Sequence, residues 1–222
     1  MKAYTKTLLL ATAATITAAL ATHAASLVNG SFETGTFPDN ERDRGFTLLA
    51  PGLSEIEGWT VSSSFLIWIA TPNIYPVTPF DGSFCLDLGG IGIGGFGGVY
   101  QSITTVIGQQ YRLSFQLGTQ QRLAGDQGPI SVLAGAGATT LPFTFIPSGP
   151  ETQWGGFDLD FTAINTSTSI HIIGDSTVGR RYIFLDRVSV DTVPEPSSAV
   201  LLFLGAAICL RRRSPNTHER NA

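Results

Sequence analysis

Between its two ends, this 222-residue chain has few residues equipped for chemistry. His171 is the single histidine there, and it alternates with Ile170 and Ile172, a setting that suits a surface or hydrogen-bonded imidazole on a strand. Ser/His/Asp catalysis needs a serine held against the histidine and an acid behind it, and no serine here sits in a nucleophile-elbow sequence. The pairs Glu55/Glu57 and Asp158/Asp160 are spaced two apart, so on a strand each pair shares a face, as the two carboxylates of a glycosidase must face one substrate. The same spacing is ordinary for solvated charge on an outer strand face. Cys85, inside Phe84-Cys85-Leu86, reads as a small buried apolar residue. The other cysteine, Cys209, lies in the apolar tail, which leaves no disulfide within the domain. The expectation is a non-catalytic domain.

Aromatic rings offer a second chemistry, because the C–H face of a sugar stacks on an indole or phenol whose polar edge stays wet. Trp59, Trp68, Trp154, Tyr75 and Tyr100 are the candidates. Trp59 and Trp154 stand beside glycines at strand starts and read as core. Tyr75, in the loop Thr71-Pro72-Asn73-Ile74-Tyr75-Pro76, is the first choice for a ligand-binding ring, with Trp68, between Ile67 and Ile69, as the second.

These residues need strands to position them. In Tyr111-Arg112-Leu113-Ser114-Phe115-Gln116-Leu117 the apolar residues recur with period two, the mark of a half-buried strand. Similar runs lie at residues 26–32, 58–61, 65–69, 83–88, 98–103, 130–133, 157–161, 169–173 and 182–190, separated by Gly, Pro, Asn and Asp clusters. No stretch between the two ends repeats apolar residues at helical spacing. About ten short strands predict an all-β fold, an antiparallel β-sandwich or barrel over residues 26–191. The glycine-rich stretch at residues 89–98 lacks the lysine and Ser/Thr of a phosphate-binding loop and reads as an inter-strand loop.

The ends carry the strongest signals. Lys2 and Lys6 precede an Ala-rich apolar stretch at residues 7–21 and the small residues Thr22, Ala24 and Ala25. That is the three-part pattern of a secretory signal peptide over residues 1–25, an N-terminal apolar helix removed by signal peptidase. At the other end, Val193-Pro194-Glu195-Pro196-Ser197 precedes an uncharged apolar run at residues 198–210 and then Arg211, Arg212 and Arg213. The two prolines fix φ and lack amide donors, so the segment stays extended, as a protease substrate must. The arginines would hold the end of the tail in the cytoplasm. The order of motif, apolar segment and basic cluster resembles the PEP-CTERM sorting signal of Gram-negative bacteria, over residues 192–213, with 214–222 as a cytoplasmic tail. The resemblance implies a short C-terminal hydrophobic helix in the inner membrane, recognition by an exosortase, and delivery of the domain to the cell envelope, cell surface or extracellular matrix.

With both ends set aside, the domain has seven arginines, no lysine and fifteen carboxylates, a net charge near −8 that the whole-chain value of −4 hides. A nucleic-acid partner would need a basic face, and this composition excludes one.

A further ordered set of short motifs spans the domain: Leu27-Val28-Asn29-Gly30-Ser31-Phe32-Glu33, Gly58-Trp59, Asp81-Gly82, Gly98-Val99-Tyr100-Gln101-Ser102-Ile103, Gly108-Gln109-Gln110-Tyr111 and Phe184-Leu185-Asp186-Arg187-Val188-Ser189-Val190. Together they resemble the galactose-binding-like jelly roll of carbohydrate-binding modules. The resemblance implies that the first and last strands approach each other and that Glu33 and Asp186 join carbonyl oxygens around a structural Ca2+. Locally, Phe184, Asp186, Val188 and Val190 share a parity that turns Asp186 toward the apolar side. There it needs a cation or strong donors, an arginine partner, or a β-bulge that turns it out. The expected function is binding of extracellular polysaccharide by a non-catalytic exported domain; the alternative is a purely structural envelope or matrix domain without a sugar ligand.

Overall fold

The computed structural model describes residues 27–38, 43–62, 64–89, 95–121, 128–175 and 182–194. Residues 1–25, Glu195, Pro196 and the arginine cluster lie outside the described residues, as do residues 90–94 of the glycine-rich stretch.

Eleven strands form two antiparallel sheets. β1 (Phe46–Leu49), β3 (Leu66–Ala70), β4 (Phe84–Asp87), β11 (Phe184–Thr192), β6 (Gln110–Thr119) and β9 (Gln153–Thr162) make the larger sheet, in that spatial order. The smaller sheet runs β2 (Thr60–Ser62), β5 (Gly98–Thr104), β10 (Ser167–Gly174), β7 (Ile130–Ala136), β8 (Thr139–Phe145). Alternation drives the assembly. In β5, β6 and β10 every second residue is buried, and Val99, Ile103, Leu113, Phe115, Leu117, Ile170 and Ile172 meet in one core between the sheets. Each such side chain contributes roughly 1.5–3 kcal/mol when fully buried, which lets the domain hold without a disulfide. Cys85 is buried and unpaired, its thiol pushed up chiefly by desolvation.

Three features depart from the strand expectation. Residues 27–32 are not a strand; the side chain of Gln101 takes the place of a pairing strand, accepting a hydrogen bond from Val28 N (2.7 Å) and donating one to Val28 O (2.9 Å). The larger sheet is covered on its outer side by residues 71–83, under which Ile69, Val77, Cys85 and Phe184 form a second small core. Finally, the register of β11 against β6 shifts between Asp186 and Ser189, where Arg187 adopts a φ of 48°. This β-bulge swaps the faces of the strand: Leu185, Val188 and Val190 point into the main core, while Phe184 packs in the second.

The end of β11 is fastened to the β5–β6 corner. Val193 N donates to Gln110 O (2.9 Å), and the Gln109 side-chain amide donates to Val193 O (3.3 Å).

Candidate functional site

Glu33 and Asp186 are brought to one place, the turn that leads into β4. Asp186 is 0% exposed. Its Oδ2 accepts the amides of Phe80 (2.8 Å) and Asp81 (2.9 Å), and its Oδ1 that of Arg187 (2.6 Å). Burial raises its pKa to about 7 although these three amides favour the carboxylate. Glu33 Oε1 accepts the amides of Ser83 (2.9 Å) and Phe84 (2.8 Å). Between them Gly82 has a φ of 62°, and a Cβ there would lie 2.4 Å from the Glu33 carboxylate, so the tight approach requires glycine. Asp81 Oδ2 accepts the Ser31 hydroxyl (2.9 Å).

The strong donors foreseen as one answer to the burial of Asp186 are therefore backbone amides. The bulge does not turn Asp186 out; it places the residue beneath residues 71–83, a different face from Val188 and Val190. Amide hydrogens thus engage both oxygens of Asp186 and one of Glu33, and among the described residues no group of three or more His, Cys, Asp or Glu is placed to share a metal ion. Three amides already satisfy the Asp186 carboxylate, so its burial requires no cation.

The aromatic candidates fall into three settings. Trp59 and Trp68 are core residues, each 1% exposed, with indole N–H groups donated to Asn29 O (2.9 Å) and Phe32 O (3.1 Å). Trp68 is thus corrected: its side chain faces the main core, where its ring meets Phe37 and Phe84 and cannot stack on a ligand. Tyr75 and Trp154 are half-buried on the outer side of the larger sheet. Tyr75 packs on Phe46, and Trp154 donates its indole N–H to Thr78 O (3.1 Å). Tyr100 is the ring that stands out, 40% exposed on the outer face of the smaller sheet.

That face has a particular chemistry. None of the five strands β2, β5, β7, β8 and β10 contains Asp, Glu, Lys or Arg. Charge collects instead on the larger sheet, for example in the Arg112 guanidinium, whose Nε and terminal NH2 donate to Asp160 at 2.6 and 2.8 Å. This pairing leaves Asp158 and Asp160 as exposed surface charge. Registers place Thr60, Tyr100, His171, Gly135 and Thr140 side by side across the smaller sheet. Beside Tyr100 and His171 stand Ser102 and Ser169, directly opposed on β5 and β10. A Cβ on Gly135 would lie 2.5 Å from His171 Nε2. The imidazole therefore lies across the glycine, with its Nε2 2.9 Å from the Thr140 hydroxyl. Desolvation lowers the pKa of His171 and keeps it uncharged at neutral pH. On the other side of Tyr100, the Ser62 hydroxyl lies over Gly98 with no hydrogen-bond partner. The signal for this face lies in its uncharged strands, but a three-residue β2 and a mostly exposed β8 carry no pattern that places them in one sheet with β5, β10 and β7.

No curated protein matches the sequence. Among solved structures, the chain is similar to TmCBM61, solved with β-1,4-galactotriose, at 14% identity and a TM-score of 0.42, covering 75% of this chain and 97% of that one. It is similar to the CBM22-1 xylan-binding domain of Paenibacillus barcinonensis Xyn10C at 13% identity and a TM-score of 0.38, covering 75% and 94%. It is also similar to the K1 cleaved adhesin domain of Lys-gingipain from Porphyromonas gingivalis W83 at 18% identity and a TM-score of 0.41, covering 74% and 96%. Scores this low transfer neither a ligand nor a residue's role. At the sequence level, residues 25–179 match the family described as "Protein of unknown function (DUF642)", a span that holds the carboxylate-held turn, the uncharged sheet and every strand but β11; the chain belongs to the DUF642 family.

Proposed function

We propose that this protein is an exported, non-catalytic cell-surface or matrix component that binds extracellular polysaccharide on the outer face of its smaller sheet. The observation that carries the reading is the face itself: hydroxyl groups and one exposed phenol on strands that hold no charge. Sugars are recognised by hydrogen bonds to hydroxyls and by stacking on rings, and a rigid sheet presents both without an ordering cost at binding. A hydrolase would instead need two carboxylates facing one substrate, and Asp160 is committed to Arg112.

Delivery follows from the ends of the chain. Signal peptidase removes residues 1–25, and an exosortase acts at Pro194-Glu195-Pro196 while the apolar segment and Arg211, Arg212 and Arg213 hold the tail in the inner membrane. What supports this is the order of motifs in the sequence. Mass spectrometry of the exported form tests it: a C-terminus near Pro194 is expected, and an intact tail through Ala222 overturns the processing step.

For binding, affinity electrophoresis against the host's exopolysaccharide is expected to retard the wild-type protein. Tyr100→Ala is expected to weaken that retardation about tenfold, the loss of one stacked ring. No saturable retardation on any glycan leaves the purely structural envelope or matrix domain as the function.

A further inference from the structure

The smaller sheet is specific in what it leaves out, and that points to the kind of chain it takes. Of the domain's charged residues none lies on these five strands, so the strands themselves offer an anionic polymer no cation to pair with. The remainder of the domain carries a net negative charge and repels such a polymer. A basic ligand would find its carboxylates on the other sheet, at Asp158, Asp160 and Asp191, or in the loops. What the surface does offer is arranged in a line. Thr60, Tyr100, His171 and Thr140 stand in register across all five strands, a row of about 19 Å at the usual strand spacing. Gly135 contributes no side chain to this row, which lets the His171 ring lie flat and forms a shallow floor beside the Tyr100 phenol. The flanking hydroxyls of Ser102 and Ser169, exposed and half-buried, can both donate and accept, as sugar hydroxyls do.

Resting on the reading that the domain binds polysaccharide, we infer that the ligand is a neutral polysaccharide, without uronate, sulfate or phosphate groups, lying across the strands along the Thr60–Tyr100–His171–Thr140 row. The phenol of Tyr100 stacks under one sugar ring, and the neighbouring hydroxyls of Ser102 and Ser169 bond its hydroxyl groups.

The test is affinity electrophoresis of the exported protein at low ionic strength in gels containing laminarin, galactan or mannan as neutral polymers and polygalacturonate or alginate as anionic ones. The host's exopolysaccharide serves as a further arm. Two surface variants accompany the wild type: Tyr100→Ala, which removes the ring, and Ser169→Glu, which places one carboxylate beside the row without touching the core. Circular dichroism and thermal melting check that both fold. Retardation by at least one neutral polymer and by neither anionic one is the expected result, with about tenfold weaker binding for Tyr100→Ala and loss of binding for Ser169→Glu. Retardation by polygalacturonate or alginate overturns the neutral-chain inference and leaves polysaccharide binding standing. Neutral binding that survives both substitutions overturns the location, again without touching the broader reading. If neither substitution affects glycan binding but one of them shifts the sedimentation of the protein, the face is a contact between copies and the inference fails. No retardation in any gel, the host polymer included, overturns polysaccharide binding itself.

Discussion

Asp87 shows how a single residue sets a condition on the whole domain. It is 1% exposed at the end of β4, and its Oδ1 accepts the amides of Gly89 (2.8 Å) and Ile183 (3.0 Å). Desolvation outweighs those donors and raises its pKa to about 7, against an ordinary value of 3.8. Between those two values the folded protein binds more protons than the unfolded chain. Stability contributed by Asp87 is therefore greatest below about pH 4, falls as pH rises toward 7, and levels off above that. His171, held neutral, acts in the opposite sense below its ordinary value of 6.5, so the comparison must isolate Asp87. The Asp87→Asn variant keeps an acceptor for both amides. Relative to wild type, it is expected to gain stability between pH 4 and pH 8, on the order of 1–4 kcal/mol, read from urea melts across that range. A wild-type-to-variant difference that does not change with pH would contradict the assignment.

At the scale of elements, the β3–β4 connection is held by acids on either side. Asp186, from the last strand, and Glu33, from the segment before β1, together accept four amides of the short stretch from Phe80 to Phe84. Removing an acceptor leaves buried donors unpaired at about 1–3 kcal/mol each. Asp186→Ala is expected to lower the melting temperature by several degrees and to speed hydrogen exchange at Phe80 and Asp81 before other amides of the larger sheet. In wild type, addition of a chelator is expected to leave both readouts unchanged. A chelator-induced drop in melting temperature would restore calcium to this turn.

The same elements show what could be read from sequence. The strands that became β5, β6 and β10 were legible because one face is core and the other solvent, which gives clean alternation. β8 was not: it is an edge strand, mostly exposed, with Pro142 in its middle, so neither burial nor propensity marks it. β1 is only four residues long. For Trp68 the alternation vanished because residues 71–83 cover the outer side of β3, and flanking isoleucines gave no parity to follow. The bulge at Arg187 divided the parity set, leaving Asp186 buried beside Phe184 under residues 71–83 while Val188 and Val190 face the main core, since parity counts only while the strand is regular. That Glu33 and Asp186 meet was legible in the ordered motifs; that amides would satisfy them depended on a turn no pattern foretold.

For the molecule as a whole, the two sheets divide the labour of charge. One holds no charge on its strands, the other carries the ion pair and every acid borne on a strand. Binding on the uncharged side should then be indifferent to screening, since the Debye length matters only where charges attract or repel. The affinity of the exported protein for its polysaccharide is expected to change less than twofold between roughly 10 mM and 1 M salt in a pull-down, a range that spans strong and weak screening. A fall of tenfold or more would show that charged groups take part.

The attachment of Val193 to the β5–β6 corner has a mechanical meaning. β11 is an interior strand, zipped to β4 on one side and β6 on the other, and its far end leads directly into Pro194. A pull through that end along the strand loads many ladder hydrogen bonds in parallel, as shear, where a pull on an edge strand would peel them one after another. Under the proposed delivery and binding, a load between that end and the smaller sheet would pass through the centre of the domain rather than along an edge.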